Sequence, residues 1–348
     1  MMRVVQISSP QHGRRVGVVR HDEAIDVTTV RSDWRRVIDV VESVDGGGGA
    51  WRDALQEAAD SPAAAHLDYP PLLAATPGGA EPHLLAPLDH ESPHRLLITG
   101  TGLTHLGSMQ SRNDMHAEDG AKSSDEPITD SRRMFEMGLA GGKPPQGERG
   151  AMPEWFYKGN GCNLRGPNDY LDVPALAPDG GEEAELVGCY TINSRGEPVR
   201  LGFALGNEWS DHQTERVNYL YLAPSKLRTC AVGPELVVGC DFQEIGVRCR
   251  VARGGETLYD SGPLFTGEQH MCHSLANCED HHFKYPQHRQ PGDAHVHFFG
   301  TSKLSFGERD WRYEDGDEIR IDAPGFSSPL VNWVRRESPD ATPVRVIE

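Results

Sequence analysis

Lysine is scarce in this chain, with six lysines beside 28 arginines in 348 residues. Basic residues as a whole are in deficit: 34 Lys and Arg stand against 52 Asp and Glu, a formal net charge of −18. A surface of that sign repels phosphate backbones and anionic lipid, so nucleic acid and membranes are not expected partners. Long apolar runs are missing too. No stretch reaches the about 18 consecutive apolar residues that a spanning helix needs. The N-terminal MMRVVQISSP lacks the apolar segment of a secretion signal. A soluble, cytoplasmic protein is expected. The seven cysteines are odd in number and show no C-x-x-C spacing, which suits reduced thiols.

What the chain does have is acid in apolar surroundings. Glu183 and Glu185 lie in GGEEAELVG, Glu208 ends GFALGNE, and Lys226 follows NYLYLAPS. Each of these apolar stretches reads as a strand. The i, i+2 spacing of Glu183 and Glu185 places both side chains on one face of theirs. An E-x-E on a solvent-facing strand is common and carries no metal inference by itself. Here Leu186-Val187-Gly188 follows one acid and Phe203-Ala204-Leu205-Gly206 precedes another. Buried carboxylates need a positive partner. A divalent hard cation on oxygen ligands is the natural one, with the lysine close by.

These residues resemble the fumarylacetoacetate hydrolase superfamily. The pattern of that family is an E-x-E, an N-D-x-S about two dozen residues on, a lysine before a G-P, and a late G-T. This chain has Glu183-x-Glu185, Asn207-Glu208-x-Ser210, Lys226 before Gly233-Pro234, and Gly300-Thr301. An upstream Phe-Lys segment is matched by Trp155-Phe156-Tyr157-Lys158-Gly159. The likeness covers roughly residues 95 to 335. One position departs from it: the third ligand is usually Asp, and Glu208 is a methylene longer. The resemblance implies a β-rich α+β fold, a mixed β-sheet roll with a small α/β N-terminal domain. It also implies a divalent ion (Mg2+, or Mn2+ or Ca2+) on Glu183, Glu185 and Glu208, a small-molecule 2-keto acid substrate, and a homodimer or larger assembly.

A 2-keto acid would chelate such an ion through its carboxylate and keto oxygens, and the ion would stabilise an enolate. Lys226 is the expected acid/base, with an ion pair to the glutamates as the alternative. Desolvation and metal would lower its pKa and neighbouring carboxylates would raise it. Lys158, Ser210, Gly300 and Thr301 are expected at the substrate. Hydrolases of the superfamily resemble one another in a His followed shortly by Glu, a pair that orients water. After Gly100-Thr101-Gly102-Leu103-Thr104-His105 come Leu106-Gly107-Ser108-Met109, with no Glu at that spacing. This stretch, with Arg112, is more similar to the 2-keto-3-deoxy sugar-acid dehydratases. The expected reaction is metal-dependent dehydration of a 2-keto-3-deoxy pentonate or hexonate. His105, Ser108 or Arg112 would assist the departing hydroxyl. C–C hydrolysis of an acylpyruvate or fumarylacetoacetate-type diketo acid is the alternative, with His105 recruiting an acid such as Glu118. A catalytically silent binding protein is a third option.

The chain divides readably. Residues 1–72 begin with two short strands and continue with helical patterns from Asp33 to Val44 and in WRDALQEAAD, a small α/β unit. Residues 73–94 read as a linker, and 95–348 as the catalytic domain. Within the latter, 107–150 is polar and loop-like, a lid by position, with a helix possible near Arg132–Leu139. His270, Cys272, His273, Cys278, His281 and His282 invite a zinc reading, but their spacing lacks the paired halves of such sites. His295 and His297 alternate on one strand face and read as packed polar groups.

Overall fold

The computed structural model describes residues 1–44, 49–117 and 129–347. Within these, twelve strands form one mixed sheet and five form a second. The large sheet starts in the N-terminal unit, where Met2–Ser9 pairs with Gly13–Arg20 on one side. On the other side Met2–Ser9 pairs with Cys230–Val238. The sheet then runs through Pro198–Asn207, Ala184–Ile192, Ala294–Phe298 and Leu96–Gly102 to Glu154–Asn160. His83–Leu85, inside the stretch read as a linker, also pairs with Met2–Ser9. The architecture is α+β and strand-rich, as expected.

Two apolar layers sandwich the middle of this sheet, and the pleat sorts residues between them. All nine residues of Ala184–Ile192 are buried. Val187 and Cys189 pack toward the helices Val37–Ser43 and Ala50–Ala59. Ala184, Leu186, Tyr190 and Ile192 pack toward the second sheet. This is the two-residue alternation of a strand covered on both faces. Glu185 carries an odd number like Val187 and shares its face of the strand, and Glu183 precedes the strand in the same phase.

Two expectations change. NYLYLAPS is a 3-10 turn, Tyr219–Tyr221, followed by the helix Leu222–Lys226. Asn218 caps the turn by accepting from Leu220 N at 2.9 Å, and the Ser225 hydroxyl donates to Leu222 O. These local bonds, and Pro224 without an N–H, outcompete the strand that the apolar alternation suggested. The stretch 107–150 is less loop-like than read: Leu106–Ala117 is a helix, Asp130–Gly141 is the helix expected near Arg132–Leu139, capped by Thr129, and 142–150 is irregular. Glu118 lies outside the described residues. Among those described, no helix is long and apolar enough to cross a membrane.

The late histidines do not converge as ligands. Among the described residues the one group of three His, Cys, Asp or Glu with ligand atoms close together is Glu183, Glu185 and Glu208. His282, His295 and His297 instead form a buried polar cluster. His282 Nε2 meets His295 Nδ1 at 3.0 Å, and His297 Nδ1 meets the Thr99 hydroxyl at 2.8 Å. Burial pushes His295 and His297 down to about 3, with neighbouring histidines adding to it. Such groups stay neutral in the folded chain while their unfolded counterparts protonate. Stability is therefore complete above about pH 6.5 and drains away as pH falls toward 3. His297→Gln should flatten the fall of melting temperature over that window, and an unchanged slope would dissociate the cluster from acid sensitivity.

Candidate metal centre and its cleft

The acids meet because two adjacent strands end together. Glu185 pairs with Gly206 and Ala184 with Asn207. Beyond the ladder, Glu208 N donates to Glu183 O at 2.9 Å, and Glu183 N donates to the Asn207 side chain at 3.2 Å. Carboxylate oxygens of Glu183, Glu185 and Glu208 lie within 4.8 Å of one another. Lys226 Nζ reaches Glu183 at 2.5 Å and Glu208 at 2.6 Å, with the Phe156 ring 4.8 Å away.

The electrostatics are lopsided. Burial pushes Glu183 up, but Lys226 and His212 outweigh it and hold this acid well below the usual carboxylate range. Burial and the charge of Glu183 keep Glu208 above its ordinary value despite Lys158 and Lys226. Glu185 is driven well above its ordinary value by burial and then by the charges of Glu208 and Glu183. Its contact is the Gly300 N–H, at 2.7 Å, and among the described residues no lysine or arginine reaches it. Burial disfavours the Lys226 ammonium, yet Glu183, Glu208 and Glu215 more than compensate and raise its pKa. Three hard oxygen donors short of one positive charge are what a divalent cation fits. Glu183, Glu185 and Glu208 would hold it.

Around the acids lies a cleft of about 460 Å³, its solvent-open mouth included. Four hydroxyls line it (Thr101, Ser108, Ser111 and Thr301), together with Arg112, His212, Glu215, Lys226 and Gly300. Phe156, Leu103 and Leu304 supply apolar wall. Arg112 is committed to two carboxylates: Nη1 meets Glu154 at 2.6 Å and Nε lies 3.1 Å from Glu215. Gly300 and Thr301 belong to a loop pinned at both ends by the acid strand. Glu185 takes the Gly300 N–H, while Glu182 accepts from Ser305 N at 2.6 Å, the Ser305 hydroxyl at 2.8 Å and the Tyr313 hydroxyl at 2.5 Å.

Three expected site residues fall elsewhere. His105 is buried outside the cleft lining, its Nδ1 on the Thr104 hydroxyl at 2.9 Å and Nε2 on Thr266 at 3.0 Å. Burial pushes its pKa down to about 3. Leu103 just before it has a positive φ of 53°, and the chain turns there. Lys158 is completely buried behind Glu208, 2.8 Å from it, and donates to Lys226 O at 2.9 Å and to Trp209 O. Ser210 is buried too, its hydroxyl 3.0 Å from the Glu208 carboxylate. Both hold a metal-site acid in place, and neither lines the cleft.

His212 and Glu215 were missed. They sit three residues apart on the helix His212–Val217, hence on one face. Asp211 caps that helix by accepting from Thr214 N at 3.0 Å and is held by Arg228 at 2.9 Å. The D-x-x-T-E beginning was the available signal. His212 Nε2 is 3.0 Å from Glu183, and the ring is seated against Gly181. A Cβ at Gly181 would stand 2.1 Å from His212 Nδ1. Gly181→Ala should therefore displace His212 from Glu183, at an over-packing cost of roughly 1–3 kcal/mol. Lower thermal stability and weaker Mn2+ binding are the expected readouts. No change in either would mean that the ring has room to give.

No known family profile and no curated protein matches the sequence. Solved structures do match the fold. A 2-keto-3-deoxyarabinonate dehydratase aligns over 97% of this chain and 99% of its own, with 16% identity and a TM-score of 0.68. A structure of 2-keto-3-deoxy-D-arabinonate dehydratase complexed with magnesium and 2,5-dioxopentanoate aligns with the same coverage and identity at a TM-score of 0.67. Fumarylacetoacetate hydrolase from Exiguobacterium antarcticum aligns over 97% of this chain and all of its own, with 16% identity and a TM-score of 0.60. The full-length match, together with strand ends that bring three glutamates to one cleft beside a lysine from a short helix, establishes that this chain has the fold of the fumarylacetoacetate hydrolase superfamily.

Proposed function

We propose that this protein is a metal-dependent hydro-lyase that removes water from a 2-keto-3-deoxy sugar acid of five or six carbons. The observation that carries the reading is the composition of one cleft: a three-glutamate cation site faces a wall of four hydroxyls and an arginine. Hydroxyls and a guanidinium match a polyhydroxylated acid better than a flat diketone. A divalent cation, Mg2+ in the first instance, supplies positive charge for the oxygen of an enolate when bound. The Gly300–Thr301 loop receives the substrate carboxylate. Lys226 acts as an ammonium, donating to the keto oxygen as charge develops there. Ser108 and Ser111 engage the hydroxyls further along the chain, beside the Arg112 guanidinium that holds Glu154 and Glu215. His105 takes no part, which removes the residue that would orient a hydrolytic water. The neighbouring fold that carries magnesium and 2,5-dioxopentanoate supports the same substrate class.

The test is to incubate the metal-loaded protein with 2-keto-3-deoxy acids and acylpyruvates in ¹⁸O-labelled water and weigh the products. One unsplit product lighter than its substrate by one water is expected. Two fragments, one with label in a new carboxylate, would establish C–C hydrolysis and overturn the dehydratase reading.

A further inference from the structure

Elimination needs a base at C3, and the cleft offers few groups that can accept a proton. Glu183, Glu185 and Glu208 form the cation site. Lys226 Nζ donates to Glu183 and Glu208. His212 has Nε2 on Glu183, and its Nδ1, though without a hydrogen-bond partner, lies against Gly181, which is not part of the cleft lining. Ser108 donates its proton to His105 O at 2.8 Å. One cleft-lining acid remains. Glu215 is 1% exposed, and its Oε1 has no hydrogen-bond donor among the described residues. Arg112 Nε stands 3.1 Å from that oxygen as an ionic neighbour without making a hydrogen bond to it. The same guanidinium serves Glu154, so two buried carboxylates share one cation. A buried oxygen with a fixed counter-charge and an unused lone pair has the geometry of a general base.

We infer that Glu215 is the base that takes the C3 proton and passes it to the departing C4 hydroxyl. The inference rests on the enolising reading of the cleft given above. In the first step the C3–H bond breaks, the proton goes to Glu215, and the electron pair forms C2=C3 as the keto oxygen gains charge. In the second the carbonyl re-forms, C3=C4 forms as C4–O breaks, and the leaving oxygen takes the proton from Glu215. Substrate becomes an unsaturated keto acid plus water, and Glu215 is restored. Arg112 is a positioning residue for this carboxylate, because its guanidinium stands between Glu154 and Glu215 and fixes where the Glu215 oxygens lie.

The experiment separates this assignment from the reading beneath it. Pyruvate has an enolisable C3 and nothing to eliminate, so its C3 hydrogens can be followed by proton NMR in D2O with Mg2+-loaded protein. Wild type should catalyse the exchange. Glu215→Gln should slow it by about 10²–10⁴-fold, the usual contribution of a positioned base. Calorimetric Mn2+ binding should be unchanged in the same sample, which reports an intact fold and cation site. Glu215→Asp should recover part of the rate. Exchange by wild type and equally by Glu215→Gln would overturn the base assignment alone. Absence of exchange in wild type would overturn the enolising reading and this inference with it.

Discussion

Glu185→Gln is expected to abolish metal uptake and turnover while leaving the fold intact. The side chain is almost completely buried, its amide replacement has the same shape, and one carboxylate oxygen already accepts the Gly300 N–H. What disappears is the charge that a hard cation requires. The loss of affinity should exceed the roughly 10–100-fold that removing an outer hydrogen-bond partner of a ligand costs. Stability gives a second and opposite signal. Burial and two like-charged neighbours raise Glu185 well above its ordinary value, so the folded metal-free chain binds a proton that the unfolded chain has released. Stability of the metal-free protein must then fall as pH rises from about 4.5 upward. Glu185→Gln removes that penalty. At pH 7.5 the metal-free variant should melt above metal-free wild type, whereas only wild type should gain from added Mg2+ or Mn2+. Tight Mn2+ binding by the variant would remove Glu185 from the ligand set.

Lys226→Met should lower kcat by about 10²–10³-fold, the usual loss when a donor to a developing oxyanion is removed. KM should move little. The reason lies in what the ammonium touches: Glu183 at 2.5 Å, Glu208 at 2.6 Å and the open cleft. In the metal-free chain it is a counter-ion competing for two metal-site acids. Its removal should therefore leave cation affinity undiminished, or strengthen it, even as the chemical step slows. That opposition separates catalysis from simple charge balance. A variant with near-normal kcat would reduce Lys226 to an ion-pair partner.

The sequence alone determined which residues form the charged centre and which strands deliver its three acids. Glu183, Glu185, Glu208 and Lys226 were readable because a carboxylate inside an apolar, alternating stretch loses its water on folding, and a cation has to offset that cost. The strand-rich character followed from the same alternation, which depends only on the two-residue pleat. Cysteine count and spacing likewise pointed to reduced thiols, and all seven cysteines are free in the structure. Direction beyond the strand ends was another matter. His105, Lys158 and Ser210 stand beside recognisable landmarks, yet each points into packed interior, because the turn at Leu103 and the burial behind Glu208 are set by distant chain segments. His212 and Glu215 enter the cleft for the complementary reason. A six-residue helix, held by Asp211 and by Arg228 from beyond Lys226, turns one polar face toward the acids. NYLYLAPS misled because its apolar alternation is local, whereas the side-chain caps and Pro224 that bend it answer to its own backbone. Side-chain identity and periodicity are properties of the chain. Which oxygen is left without a donor, as on Glu215, depends on every neighbour brought against it, and only the tertiary structure decides that.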